Sequence, residues 1–267
     1  MQQKIHNMLS LVVPVYKQEK VIAHNLRLLI GELDTLTIPY ELIVVIDGDV
    51  DRSMQEAKKV MSPHVKVVGY ETNHGKGYAV RFGMAKCSGD IIGFIDAGGD
   101  LKAQGISMLL EHFKWYNADC IIGSKRHPAS KVNYPVGRKI LSFGYQMLIR
   151  LLFGLTIRDS QVGIKLYRRA VLEDVLPRLL VKQFAFDIEI LAVAYHLDYT
   201  RIFEAPIELT FQGVSSITSK SFWRIVVNML WETLAVFYRL KILHYYDNSN
   251  KRKWRFDPEL NFRVNIG

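Results

Sequence analysis

Residues 73–100 read NHGKGYAVRFGMAKCSGDIIGFIDAGGD. Two glycines flank Lys76 just ahead of a helical stretch, and a short apolar run then ends in acidic residues. A glycine-rich turn that opens a helix offers backbone N–H groups and a cation at one point, a cradle suited to a phosphate or diphosphate. The spacing is neither G-x-G-x-x-G nor G-x-x-x-x-G-K-[ST], so the Rossmann dinucleotide and P-loop readings find no support. The run IIGFID (91–96) reads as a buried strand with Asp96 at its carboxyl end and Asp100 four residues on. Carboxylates at that point suit a hard divalent cation that takes its remaining oxygen ligands from a diphosphate and water.

The same alternation extends to either side. LSLVVPV (9–15), ELIVVID (41–47), VKVVGY (65–70) and CIIG (120–123) read as further buried strands. VIAHNLRLLIGEL, DRSMQEAKKVM, GYAVRFGMAK and GISMLLEHFKW lie between them with helical periodicity. Strands separated by helices predict an α/β fold, a mainly parallel central sheet with helices on both faces. Ligands bind such sheets beyond the carboxyl ends of the strands. That directs attention to Pro14–Tyr16, Asp47–Asp49, Asn73–Gly77 and Asp96–Asp100. Asp47, Asp49 and Asp51 can serve a nucleobase, a ribose or a cation there; they can equally be turn residues, with Asp51 capping the next helix.

After residue 123 the pattern changes. A long helix is predicted over 136–153, a strand and turn over 161–169, and a helix over FAFDIEILAVAYHL. RIFEAPIELTF reads as extended, and a last helix from Ser221 to about Leu243 precedes a polar, basic tail. On the 136–153 helix Arg138, Ser142 and Gln146 share one face. An Arg and a hydroxyl at i, i+4 can grip phosphate oxygens, or simply be a solvated surface.

The chain has 267 residues, 49% hydrophobic and 23% charged, which excludes disordered, collagen-like and coiled-coil classes. Cys87 and Cys120 are its two cysteines, so no disulfide framework or Cys-rich zinc site is expected and a reducing compartment fits. The start MQQKIHNMLSLVV lacks the pattern of a signal peptide, and no apolar stretch reaches transmembrane length. Lys and Arg number 35 against 26 Asp and Glu. Residues 1–122 are net −1 and residues 123–267 net +10. The surplus suits an anionic partner for the second part, phosphates or an acidic lipid surface, or equally a solvated basic face that aids solubility. Nucleic acid is disfavoured, since no zinc finger, RNP-like motif or basic heptad accompanies the charge.

VVPVYKQEKVI, ELIVVIDGDVDRS, NHGKGYAVRFGM and FIDAGGD stand in the order and spacing of family 2 glycosyltransferases of the GT-A fold, which the chain resembles over roughly residues 8–215. IGSKRHP (122–128), Arg138 with Ser142, RDSQVGIKLYRR (158–169) and FAFDIEIL (184–191) look like the polyprenyl-phosphate branch, with its dolichyl-phosphate glucosyl- and mannosyltransferases. The resemblance implies a GT-A catalytic domain over 1–215 and a C-terminal amphipathic helix with basic tail over 216–267. It implies donor contacts at Pro14, Tyr16, Glu19, Asp47, Lys76, Arg81 and Asp96. The Asp-x-Asp motif falls on Asp96, Ala97 and Gly98, so its second carboxylate is missing; Asp96 and Asp100 are expected to share an Mg²⁺ or Mn²⁺ ion. The family's acceptor-phosphate position falls on Lys125 and Arg126, joined by Arg138 and Ser142.

The implied reaction moves a hexose, glucose over mannose, from UDP-glucose or GDP-mannose to a polyprenyl phosphate with inversion. A phosphate nucleophile, with a second pKa of about 6, is already ionised and requires no general base. A hydroxyl acceptor would require one, with Asp159 or Asp187 as candidates, and the carboxylate, lysine and glutamine of DSQVGIK (Asp159, Lys165 and Gln161) are expected to line the sugar and acceptor site. Asp187 and Glu189 can also be read as solvated residues on a short helix. A donor-binding protein whose catalysis lapsed with Gly98 is the non-enzyme alternative.

In the last helix Arg224, Asn228, Glu232 and Arg239 fall within an arc of about 80° and the rest is mostly apolar. Such a face needs the domain core, a second subunit in a homo-oligomer, or a bilayer boundary. Trp223, Trp231, Tyr238, Tyr245 and Tyr246 suit a membrane interface. The run Lys251, Arg252, Lys253 and Arg255 would add about 1 kcal/mol per charge near anionic lipid. The expectation is peripheral attachment at the cytoplasmic face of a membrane.

Overall fold

A computed structural model describes residues 8–60, 62–98, 105–132, 136–209, 219–258, 260 and 262–265. The first half alternates as expected: β1 (Leu9–Val15), α1 (Ile22–Leu33), β2 (Tyr40–Asp47), α2 (Ser53–Lys58), β3 (Val65–Tyr70), α3 (Lys76–Met84), β4 (Ile91–Ile95), α4 (Gly105–Trp115) and β5 (Cys120–Ser124). Then come β6 (Lys131–Val132), α5 (Val136–Phe153), β7 (Ile164–Arg168), α6 (Arg169–Val175), α7 (Phe186–His196), β8 (Ile202–Pro206), β9 (Glu208–Leu209), α8 (Ser219–Lys241), β10 (Trp254–Asp257) and β11 (Phe262–Asn265).

Seven of the described strands form one sheet in the order β3-β2-β1-β4-β7-β5-β8. All neighbours are parallel except β7, which runs antiparallel to β4 and β5 on either side of it. The chain moves outward from β1 to β3 and then returns to place β4 on the other side of β1. The carboxyl ends of β1 and β4 therefore diverge at a switch point, and a crevice opens there. Its edges are Val15 and Tyr16 on one side and Asp96 on the other.

Continuous apolar strands need cover on both faces. Helices α1, α2 and α4 cover one, burying Leu26, Leu29, Leu33, Ile106, Leu109 and Phe113. Helices α3, α5, α6, α7 and α8 cover the other. Helix α7 is buried from Phe186 to Ala194 without interruption, so it runs through the core of that layer. Four residues of the C-terminal part, Val236, Leu240, Tyr246 and Leu260, are buried in that same cluster. The residues expected as a basic tail include the antiparallel β10–β11 pair. Among the described residues no helix is long and apolar enough to cross a membrane.

Asp51 acts as a turn residue one position before Arg52, which is the N-cap of α2. Its Oδ1 accepts the Ser53 N–H at 2.9 Å and its Oδ2 the Glu19 N–H at 3.3 Å. Burial opposes ionisation, but these bonds prevail and hold the carboxyl below its ordinary range.

Candidate functional site

Two cavities flank the segment DSQVGIK (159–165). The first, of 440 Å³, occupies the crevice at the switch point and is lined by Pro14, Tyr16, Gln18, Asp47, Lys76 and Asp96 among others, with Gln183 and Phe184 as its far wall. The second, of 740 Å³, is lined by Lys125, Arg126, Ser142, Phe143, Gln146, Met147, Arg150, Arg158 and Asp159 among others.

In the first cavity the glycine-rich turn is shaped from below by Asp47, which is buried. Its carboxylate accepts hydrogen bonds from the Tyr70 hydroxyl (2.9 Å), the Asn73 amide (2.8 Å), His74 N–H (2.8 Å) and Gly75 N–H (3.0 Å). These four donors fill the lone pairs a carboxylate offers. Asp47 therefore organises the glycine-rich turn, and it also lines the crevice. Gly75 has φ +100°, a conformation L side chains rarely adopt.

Lys76 opens α3 and reaches across the crevice floor. Its ammonium lies 2.8 Å from Asp96 and 3.6 Å from Asp187. Burial works against that charge, but the two carboxylates outweigh it and the Lys76 pKa is raised. Asp187 also pairs with the fully buried Lys165 of β7. Burial pushes the Lys165 pKa down, with Asp187 opposing it. Both ammonium groups stand over the Phe94 ring, 5.3 and 5.1 Å from its centre. Asp187 and Glu189 are thus buried residues of α7, and the reading of them as solvated is overturned.

Asp96 is held at the end of β4 by its N–H to the Gly163 carbonyl, 2.9 Å. A Cβ on Gly163 would fall on the Asp96 carboxylate, so the glycine of DSQVGIK is required by that approach. Asp96 is partly exposed, and open space surrounds the position of a Cβ at Gly98. One exposed carboxylate at an open strand end fits a hard cation that draws its other oxygens from water and phosphate. Among the described residues no cluster of three or more His, Cys, Asp or Glu could hold a metal by itself. Asp100 lies outside the described residues.

Two expected donor contacts sit elsewhere. Arg81 follows Lys76 by five residues, about 140° around the helix. Its guanidinium is buried on the far side, donating to the Leu179 carbonyl, and burial lowers its pKa. Glu19 pairs with Arg52 at 3.4 Å at the surface, and Gln18 lines the crevice in its place. Pro14 and Tyr16 lie where expected.

In the second cavity Arg126 donates to the Ser142 hydroxyl at 3.0 Å. Asp159 accepts the Lys125 N–H at 3.1 Å and lies 3.7 Å from its ammonium. Glu204 accepts both the Arg158 and Asp159 N–H groups at 3.0 Å and fixes that turn. Gln146 does not face the cavity as a free ligand. It ties α5 to the following loop, donating to Ile157 O at 2.5 Å and accepting from the Ser160 hydroxyl at 3.2 Å. Arg138 lies in α5, and its side chain falls outside the described residues. The buried Gln161 Nε2 has no hydrogen-bond partner among the described residues, and Gln161, expected to line the sugar site, is in the lining of neither cavity.

Sequence reasoning missed Gln183, Phe184, Arg150 and Arg158. Lys165, expected to line the sugar and acceptor site, is instead fully buried against Asp187 and lines neither cavity. The tight Gly75 and Gly77 were the one signal of a second segment pressing on the cradle.

A sequence model of the family described as glycosyl transferase family 2 matches residues 10–176. A dolichyl-phosphate beta-glucosyltransferase of Drosophila melanogaster is 33% identical over 71% of this chain and 63% of its own length. The protein of that description from Homo sapiens is 30% identical over 80% of this chain and 70% of its own. The chain thus spans about two thirds of the length of these curated relatives. Among solved structures, glucosyl-3-phosphoglycerate synthase from Mycobacterium tuberculosis, in complex with Mn²⁺, UDP-glucose and phosphoglyceric acid, aligns with a TM-score of 0.63. It is 18% identical and covers 86% of this chain and 80% of its own. That likeness concerns the fold.

Proposed function

Because this chain belongs to glycosyl transferase family 2, we propose that it transfers glucose from a nucleoside diphosphate sugar, UDP-glucose first, to dolichyl or another polyprenyl phosphate. The observation that carries this reading is the composition of the second cavity. Four cations, Lys125, Arg126, Arg150 and Arg158, face one carboxylate, and Phe143 and Met147 line the same space. A phosphate on an apolar chain matches both features. The relatives named for dolichyl-phosphate glucosylation support the choice of sugar and lipid.

In this reading the nucleotide lies against Pro14, Tyr16 and Gln18, with its diphosphate over the Gly75–Lys76 cradle. Asp96 would hold a Mg²⁺ or Mn²⁺ ion, which supplies positive charge for the leaving diphosphate when bound. Lys76 swings between Asp96 and the diphosphate as a second cation. Arg126, Ser142 and Lys125 orient the acceptor phosphate. A phosphate oxygen bonds to the anomeric carbon as its bond to the diphosphate breaks, and configuration inverts. Asp187 is shared by two lysines and Asp159 is tied to Lys125, so neither is a free base. This favours an ionised phosphate nucleophile over a hydroxyl.

The lipid requires a membrane, and the outer surface supports a peripheral seat. Phe143, Met147 and Leu151 are exposed along α5, and Val227, Trp231, Leu234 and Tyr238 along α8. The two helices touch through the Tyr145 and Thr233 hydroxyls at 2.8 Å and the Phe153 and Phe237 rings. Each helix presents exposed apolar side chains of the kind that seats a protein at a bilayer boundary. The polar arc of α8 is split: Arg224 and Asn228 face out, while Glu232 and Arg239 turn inward. Two free, buried cysteines suit the cytoplasmic face.

The test is transfer from radiolabelled UDP-glucose, GDP-mannose and UDP-N-acetylglucosamine to polyprenyl phosphate in detergent, with Mn²⁺, Mg²⁺ or EDTA. Acid-labile lipid product from UDP-glucose alone, lost in EDTA, is expected. Label reaching no lipid phosphate from any donor would overturn the reading.

A further inference from the structure

The wall of the donor crevice is suspended from the C-terminal helix. Segment 179–185 contributes Gln183 and Phe184 to the crevice, and its backbone amides are taken up by carboxylates behind it. Glu189 accepts the Leu180 N–H at 3.0 Å and the Val181 N–H at 2.8 Å; Glu232 of α8 accepts the Ala185 N–H at 3.3 Å. Glu189 is wholly buried, and its other donors come from the C-terminal part of the chain. These are Arg239 Nη1 at 3.2 Å and the Tyr246 hydroxyl at 2.6 Å. On its front side the segment presses on the phosphate cradle. A Cβ on Gly75 would meet Gln183 at 2.5 Å, one on Gly77 would meet Gln183 O at 2.9 Å, and Tyr78 N–H donates to Lys182 O at 3.2 Å. No slack separates the segment from the cradle, so a shift behind it must be transmitted forward.

We propose that Arg239 is a positioning residue for nucleotide diphosphate binding: by neutralising Glu189 it fixes segment 180–184 against the Gly75–Lys76 cradle and joins α8 to the donor crevice as one rigid unit. The inference rests on the assignment of that crevice to the donor. A buried carboxylate keeps both oxygens available to two amides only while its charge is balanced. Remove the guanidinium, and Glu189 either protonates, giving up acceptor capacity, or draws in water. In both cases the Leu180 and Val181 amides lose their anchor, and Gln183 and Phe184 are released into the crevice. Arg239 touches neither nucleotide nor acceptor, so the effect falls on donor binding.

The experiment measures UDP binding to the full chain by calorimetry, with hydrogen exchange at the Leu180 and Val181 amides, for wild type, Arg239→Met and Arg239→Lys. Arg239→Met should weaken UDP about tenfold, the order of one charge-assisted hydrogen bond, and speed exchange at those two amides. It should raise the donor KM with the acceptor KM unchanged. Arg239→Lys, which keeps the charge, should restore most of both readouts. If Arg239→Met does not fold, Tyr246→Phe removes one donor from Glu189 with the ring retained and should weaken UDP about threefold. Wild type failing to bind UDP would remove the donor assignment itself. Wild type binding UDP while Arg239→Met binds it equally, or with unchanged exchange, would overturn the positioning role alone. Arg239→Lys as weak as Arg239→Met would overturn it too, since packing and not charge would then be responsible.

Discussion

Gly163 and Asp96 face each other across the β4–β7 pair so closely that no side chain can stand at residue 163. The Gly163 carbonyl receives the Asp96 N–H, and the Asp96 carboxylate fills the space a Cβ would take. Gly163→Ala is expected to displace the carboxylate. The overpacking should cost about 1–3 kcal/mol of stability, and a misplacement of this kind should lower kcat/KM about 100-fold. Urea unfolding and steady-state kinetics on the same preparation check both. Full activity in the variant would show that the position of Asp96 is not critical.

Lys165 and Asp187 form a buried pair on the crevice floor. Asp187→Asn leaves an ammonium in the core facing only the partial charge of an amide, and about 3–5 kcal/mol of stability should be lost. Lys165→Met combined with Asp187→Leu should recover much of that loss, because neither charge then remains. A denaturation series over the three proteins, wild type included, decides. Were Asp187 a free general base, Asp187→Asn would lower kcat with stability unchanged.

Arg126 is braced on Ser142 at the mouth of the cationic cavity. Arg126→Ala should raise KM for polyprenyl phosphate about 10–100-fold, the worth of one charge-assisted hydrogen bond to phosphate. The donor KM should stay unchanged. A rise in the donor KM instead would move this cavity out of the acceptor role.

Trp231 is 74% exposed on α8. Trp231→Glu should leave the melting temperature unaltered and reduce sedimentation with anionic vesicles about tenfold or more. Unchanged partition would place the bilayer contact elsewhere.

Glu41 supplies a pH signature away from the site. Burial pushes its carboxyl up, but bonds from the Ser10 hydroxyl (2.6 Å), Ser88 N–H (2.5 Å) and the Ser88 hydroxyl (2.8 Å) outweigh it and the pKa is lowered. A lowered carboxylate contributes stability above its unfolded value, about 4.3, and that contribution fades as pH falls through the folded value. The stability gap between wild type and Glu41→Gln should be constant near neutrality and narrow below that pH. A gap that widens on acidification would contradict this account.

The parallel frame was legible because each strand carries a continuous apolar run that only a sheet covered on both faces can bury. Strands β1 to β5 lie within a residue or two of their expected bounds. Local pattern also located Lys76 and Asp96, since a glycine turn before a helix and a carboxylate at a strand end are short-range features. Arg81 misled because the motif placed it near the donor, whereas helix geometry turns it into the core.

What the sequence determined by itself was the layered α/β frame and the carboxyl ends at which ligands bind, because hydrophobic periodicity and turn chemistry act over a few residues. Only the tertiary structure decided which charged side chains face those ligands. Asp187 meets Lys76 and Lys165 because β7 runs antiparallel between β4 and β5 beneath α7, bringing residues 76, 165 and 187 together. Arg239 reaches Glu189 because the last helix packs back on the buried one. Both encounters join residues far apart in the chain, and the cost of burying a charge without its partner is what holds them in place.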